Sequence, residues 1–168
     1  MSRAMRLLER LVTVGANGGR HVAGIGLFAG AIVVFVQVVI RYGELAPVSF
    51  GDELSGYILA LSAFVASPDA FRSGALPRLV ILADRLRGWV REIAEGLGLL
   101  SGLIFSSVLV YQAWGLFAES WRYRATSILL EVPLWIPQGA MLIGVAGLWL
   151  TVALAAVRRV SARPSEPG

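Results

Sequence analysis

Four apolar runs, at residues 22–40, 54–71, 96–117 and 136–157, limit what this chain can fold into. Each is close to the roughly 20 residues a helix needs to cross the hydrocarbon of a bilayer. No water satisfies backbone groups there, so such runs span as helices. Hydrophobic residues make up 57% of the chain. A soluble domain holds about 45–50%, so the excess calls for a solvent other than water. The runs occupy nearly half of the 168 residues. The expected fold is therefore an all-α integral membrane protein, one four-helix domain over residues 1–168 with a flexible tail at 160–168.

Arginine supplies the orientation. All 15 basic residues are Arg. With the N-terminus inside, twelve fall in inner segments and three (Arg41, Arg122 and Arg124) in outer loops. This is the positive-inside distribution, and it puts both termini in the cytoplasm. The pI near 10.3 follows from the same asymmetry. Its basic balance marks orientation and not a nucleic-acid partner.

Two segments outside the spans have amphipathic helical spacing. In residues 1–14, Met1, Met5, Leu8 and Val12 share one face and Arg3, Arg6 and Arg10 another. Asn17, Gly18 and Gly19 then offer a break before the bilayer. In residues 77–95, Leu79, Leu82, Leu86, Trp89, Val90 and Ile93 oppose Asp84, Arg87, Arg91, Glu92 and Glu95. Both read as helices in the inner interface, held against lipid by Arg3, Arg6, Arg10, Arg87, Trp89 and Arg91. A frayed basic tail is the alternative for the first, and a soluble helix packed on a partner for the second.

Few polar residues interrupt the spans. Gln37 stands in the first, where a lone amide usually bonds a neighbouring helix. Arg41 ends that span and faces Glu44, Asp52 and Glu53 in the first outer loop, net charge −2. Arg41 either braces Asp52 or Glu53 or contacts a partner. Pro68 is expected to kink or end the second span, and Asp69 to pair with Arg72 three residues on. Gly98 and Gly102 give the third span a small-xxx-small spacing for close helix approach. Tyr111, Trp114, Trp121 and Tyr123 form an aromatic belt at its outer end. Pro133 and Pro137 fit the start of a fourth helix, where the first amides have no intrahelical partner.

Chemistry is sparse. With no Cys and one His, His21, the chain offers no thiolate nucleophile and no metal-ligand set, so neither cofactor nor enzyme activity is expected. Asp52 and Glu53 are neighbours on a helix and point about 100° apart, a poor start for an acid/base pair. No ionisable side chain lies mid-span, where a stand-alone carrier of charged solutes normally keeps one.

Two stretches resemble the small membrane subunit of TRAP (tripartite ATP-independent periplasmic) transporters. One is Val39-Ile40-Arg41-Tyr42-Gly43, followed by Asp52-Glu53-Leu54-Ser55-Gly56-Tyr57, Phe64 and the turn at 69–74. The other is Ser120, Ser127 and Val132-Pro133-Leu134-Trp135-Ile136-Pro137-Gln138, followed by Gly144. The resemblance implies a place in the bacterial inner membrane beside a large multispan permease subunit and a periplasmic solute-binding protein. It further implies a scaffold role in sodium-coupled import of a carboxylate-bearing solute. Arg41, Asp52, Glu53, Ser127, Pro133 and Trp135 are the expected partner-facing residues. The competing class is a stand-alone tetraspan protein, a small exporter or assembly factor.

Overall fold

The computed structural model describes residues 3–43, 50–73 and 88–161. Four helices carry the chain: α1 (Arg3–Tyr42), α2 (Phe50–Arg72), α3 (Trp89–Tyr123) and α4 (Trp135–Ser161). All four are long and apolar enough to cross a membrane. Charge at their ends suits the helix dipole: Asp52 and Glu53 open α2, and Arg41, Arg72, Arg122, Arg158 and Arg159 occupy last turns. Pro137 falls in the first turn of α4, where its missing amide costs no helical bond.

The helices stand as a row, α1–α2–α4–α3, not as a closed bundle. α1 packs chiefly on α2, α2 on α4 and α4 on α3, and α1 touches α4 only lightly. Among the described helices α3 has no neighbour but α4. The C-terminal ends of α1 and α3 and the N-terminal ends of α2 and α4 come together at one end of the row, here called the Asp52 end. Arg159 marks the other.

The seams are built from small residues. Buried positions recur every seven residues: Ala16, Ala23, Gly30 and Gln37 in α1, and Ser106, Ala113 and Ser120 in α3. Val145 and Val152 repeat the interval in α4. A seven-residue repeat is the signature of shallow left-handed helix crossings. Large side chains point away from the seams; Phe28, Phe35, Phe105 and Ile143 are all exposed. This is the arrangement expected where lipid is as apolar as Leu and association depends on close packing.

α2 is gripped on both sides by glycine. A Cβ at Gly19 of α1 would lie 2.6 Å from the Val65 carbonyl oxygen, and one at Gly144 of α4 2.5 Å from the Phe64 carbonyl oxygen. Gly26 and Gly30 face side chains of α2, the Ser62 hydroxyl and Ile58 Cγ2, at 2.6 and 3.0 Å from where a Cβ would stand. The third span differs from expectation. Gly98 meets nothing, and Gly102 is at an ordinary 3.6 Å from Val152 Cγ1. As the outermost helix of the row, α3 needs only one close seam, which its serines and alanine supply.

Four local expectations are corrected. The helix does not break at Asn17-Gly18-Gly19, because Gly19 is pressed against α2; α1 runs unbroken for 40 residues, about 60 Å. Residues 3–14 thus belong to α1, and residues 1 and 2 lie outside the described residues. Likewise Trp89–Glu95 continues into α3 instead of forming its own element, held to α4 by Arg159. Residues 77–87, including Arg87, lie outside the described residues. Pro68 neither ends nor breaks α2: the Ser67 hydroxyl donates to the Phe64 carbonyl at 2.7 Å, replacing the amide that Pro68 lacks. The proline ring itself seats on Gly147, 3.1 Å from where a Cβ would stand. Of the proposed tail, residues 160 and 161 belong to α4 and 162–168 lie outside the described residues.

Candidate functional site

The divergence of Asp52 and Glu53 on the first turn of α2 organises the Asp52 end. Asp52 points to α1 and accepts a hydrogen bond from Gln37 Nε2 at 2.8 Å. Gln37 is buried, so an amide inside α1 is satisfied by a carboxylate at the helix boundary. Glu53 points the other way, to the connection between α3 and α4. Its Oε1 accepts from the Tyr57 hydroxyl at 2.8 Å, and its Oε2 from the amides of Leu129 and Leu130 at 3.1 and 3.3 Å. The buried Ser127 hydroxyl stands beside the same carboxylate. Two adjacent acids thereby tie α2 to both of its neighbours.

The connection at 124–134 is a compact hairpin. The amides of Arg124 and Ala125 both return to the Ser120 carbonyl, closing α3 with Arg124 in the left-handed region (φ 49°). Ser127 and Leu134 amides bond the Val132 and Ala125 carbonyls at 2.9 Å each, around a bridge between Thr126 and Pro133. Glu131 takes a second left-handed conformation (φ 51°) at the turn. The buried Ser127 hydroxyl accepts from Leu130, so it serves both the turn and Glu53. The tip is apolar, with Ile128 92% exposed.

The expected site residues divide into two groups. Asp52, Glu53 and Ser127 are brought together with Gln37 and Tyr57. Arg41 is exposed and meets no carboxylate among the described residues, so the Arg41 brace to Asp52 or Glu53 does not form; Gln37 holds one oxygen of Asp52, and Tyr57 and the hairpin amides hold both oxygens of Glu53. Pro133 and Trp135 lie on the exposed side of the hairpin base. Trp135 meets Trp121 edge-on at 5.1 Å, the last step of an aromatic line through Phe117 and Trp114. Tyr111, Trp114, Trp121 and Tyr123 are all exposed.

The Arg159 end has its own clamp, which the sequence reading did not find. Arg159 donates to Glu95 Oε2 at 2.6 Å and to the Glu92 carbonyl at 2.8 Å, and Arg91 Nε meets Glu95 Oε1 at 2.9 Å. A charged residue on each of two antiparallel helix ends was the available signal. Trp89 and Arg91 are exposed beside it; Arg10 is exposed on α1, and Arg3 and Arg6 fall on α1 with side chains outside the described set. Asp69 meets Arg20 across the α1–α2 seam at 3.9 Å, not Arg72 one turn along.

This geometry binds helices to one another and leaves large apolar side chains on the outer surfaces of the row. The fold and its ties define a polytopic helical membrane subunit. The chain belongs to the family described as "Tripartite ATP-independent periplasmic transporters, DctQ component", which it matches over residues 30–162. That family is the small membrane component of TRAP transporters and is not an enzyme family. Membership implies partnership with a large permease and a periplasmic binding protein. No curated protein and no solved structure matches the chain.

Proposed function

We propose that this subunit is the static scaffold of a sodium-coupled TRAP importer of carboxylate-bearing solutes. The family match carries the reading. The row architecture supports it: ties at both ends, Gln37–Asp52 and Glu53–hairpin at one, Glu95–Arg159 at the other, hold the helices as a single slab. A slab of this kind widens a partner's footprint in the bilayer. With the arginine-rich Arg159 end in the cytoplasm of a bacterial inner-membrane protein, both termini are cytoplasmic and the hairpin faces the periplasm. Arg41, Asp52, Glu53, Pro133 and Trp135 then form the periplasmic rim that faces the partners, with Ser127 positioning it from inside. The rim also helps dock the solute-binding protein.

Uptake by vesicles holding this chain, the large permease and the binding protein tests the assignment. Glu53→Arg is expected to lower uptake while membrane insertion and expression stay at wild-type levels. Accumulation of solute by vesicles holding this chain alone would refute a scaffold role.

A further inference from the structure

An open groove of about 650 Å³ runs along the Asp52-end halves of α1 and α2. Its lining includes Gly30, Ser55 and Gly56, which are small, with Phe35 and Leu59 as large exposed flanks. The groove exists because Gly26 and Gly30 draw α2 close to α1, leaving no bulk between them. Gly30 is accounted for by that seam. A Cβ at Gly56 would meet nothing among the described residues, so the floor of the groove is open there.

Charge distinguishes this groove from the rest of the apolar surface. Asp52 lines it, and its Oδ1 is held by Gln37 Nε2. Its Oδ2 has no hydrogen-bond partner among the described residues. Gln37 is 7% exposed, so the carboxylate is fixed by a buried side chain. An anion at the mouth of an apolar groove needs a donor or cation once the groove is covered.

We infer that this groove seats a transmembrane helix of the large permease subunit, one that brings a basic residue to Asp52. The inference rests on the function proposed above and adds the face and the chemistry of contact. A helix ridge of medium-sized apolar side chains fits between Phe35 and Leu59 over the Gly56 floor, as ridges fit grooves in membrane helix pairs. The cation then completes a carboxylate pair whose geometry Gln37 has already set.

The test uses the assembled transporter with a photo-crosslinking residue in place of Leu59 or, on the far edge of the row, Phe105. Position 59 is expected to give adducts with the large subunit at roughly ten times the yield at 105. Equal yields, or lipid adducts alone at 59, overturn the inference. In co-purification, Gly56→Phe is expected to lower recovery of the large subunit roughly tenfold, while Gly98→Phe, also at an open glycine, retains it. Undiminished recovery with Gly56→Phe overturns the groove while leaving the scaffold assignment standing. A wild-type chain that recovers no large subunit overturns both.

Discussion

Gly144→Ala is the most informative single change in the seams. The new methyl carbon would stand 2.5 Å from the Phe64 carbonyl oxygen, 2.6 Å from its carbon and 3.0 Å from the Val65 nitrogen. All three are backbone atoms of α2 and have no rotamer to yield. Restoring a contact near 3.5 Å moves α4 away from α2 by roughly 1 Å, and a gap of that size forfeits a quarter to a half of each neighbouring dispersion contact. Overpacking of this kind costs about 1–3 kcal/mol. Alanine returns up to about 1 kcal/mol through helix propensity, so the net expectation is destabilisation by about 1–2 kcal/mol. Gly98→Ala makes the same chemical change where nothing lies within 4 Å and is expected to stabilise by up to about 1 kcal/mol. The two variants should therefore move in opposite directions. Thermal unfolding of the purified protein in detergent, followed by size exclusion after heating, is the assay, with shifts of roughly 2–6 °C. A Gly144→Ala protein as stable as Gly98→Ala would refute the claim that glycine at 144 is there to admit the α2 backbone.

Three further outcomes follow from the ties. Ser67→Ala is expected to cost about 1 kcal/mol in the native chain and close to nothing in a Pro68→Ala background, where an amide again reaches the Phe64 carbonyl; additive effects in unfolding measurements would show that Ser67 does not compensate for the proline. Glu53→Gln should speed hydrogen exchange of the Leu129 and Leu130 amides while α2 itself keeps its protection, since one acceptor oxygen is replaced by a donor group; unchanged exchange at 129 and 130 would dissociate the hairpin from Glu53. For Arg159 and Glu95 a double-mutant cycle is expected to give a coupling below about 1 kcal/mol, because both side chains are partly exposed, and the coupling should shrink in high salt. A coupling that is large and salt-independent would mean that the pair is shielded from solvent.

Much of this protein can be read from the order of its residues. Runs of apolar side chains long enough for a bilayer leave the backbone one option, so the four helices and their class follow from length and composition. Arginine counts on the two sides give the orientation proposed, and Pro133 with Pro137 marks where α4 begins. The order of helices in the row does not follow, because the outward faces of all four are similarly apolar and carry no preference for a neighbour. Small residues at 16, 23, 30 and at 106, 113, 120 held a trace of the seams, masked by a sequence in which small residues are common everywhere. Asp52 and Glu53 could be seen to diverge; only the folded chain decided that Gln37 and the hairpin amides, and not Arg41, would meet them. Likewise Gly19 and Gly98 look alike as letters, and one is pressed on a carbonyl while the other is open. Spanning depends on a segment's own hydrophobicity, whereas the partner of each polar group or glycine depends on which helix stands beside it.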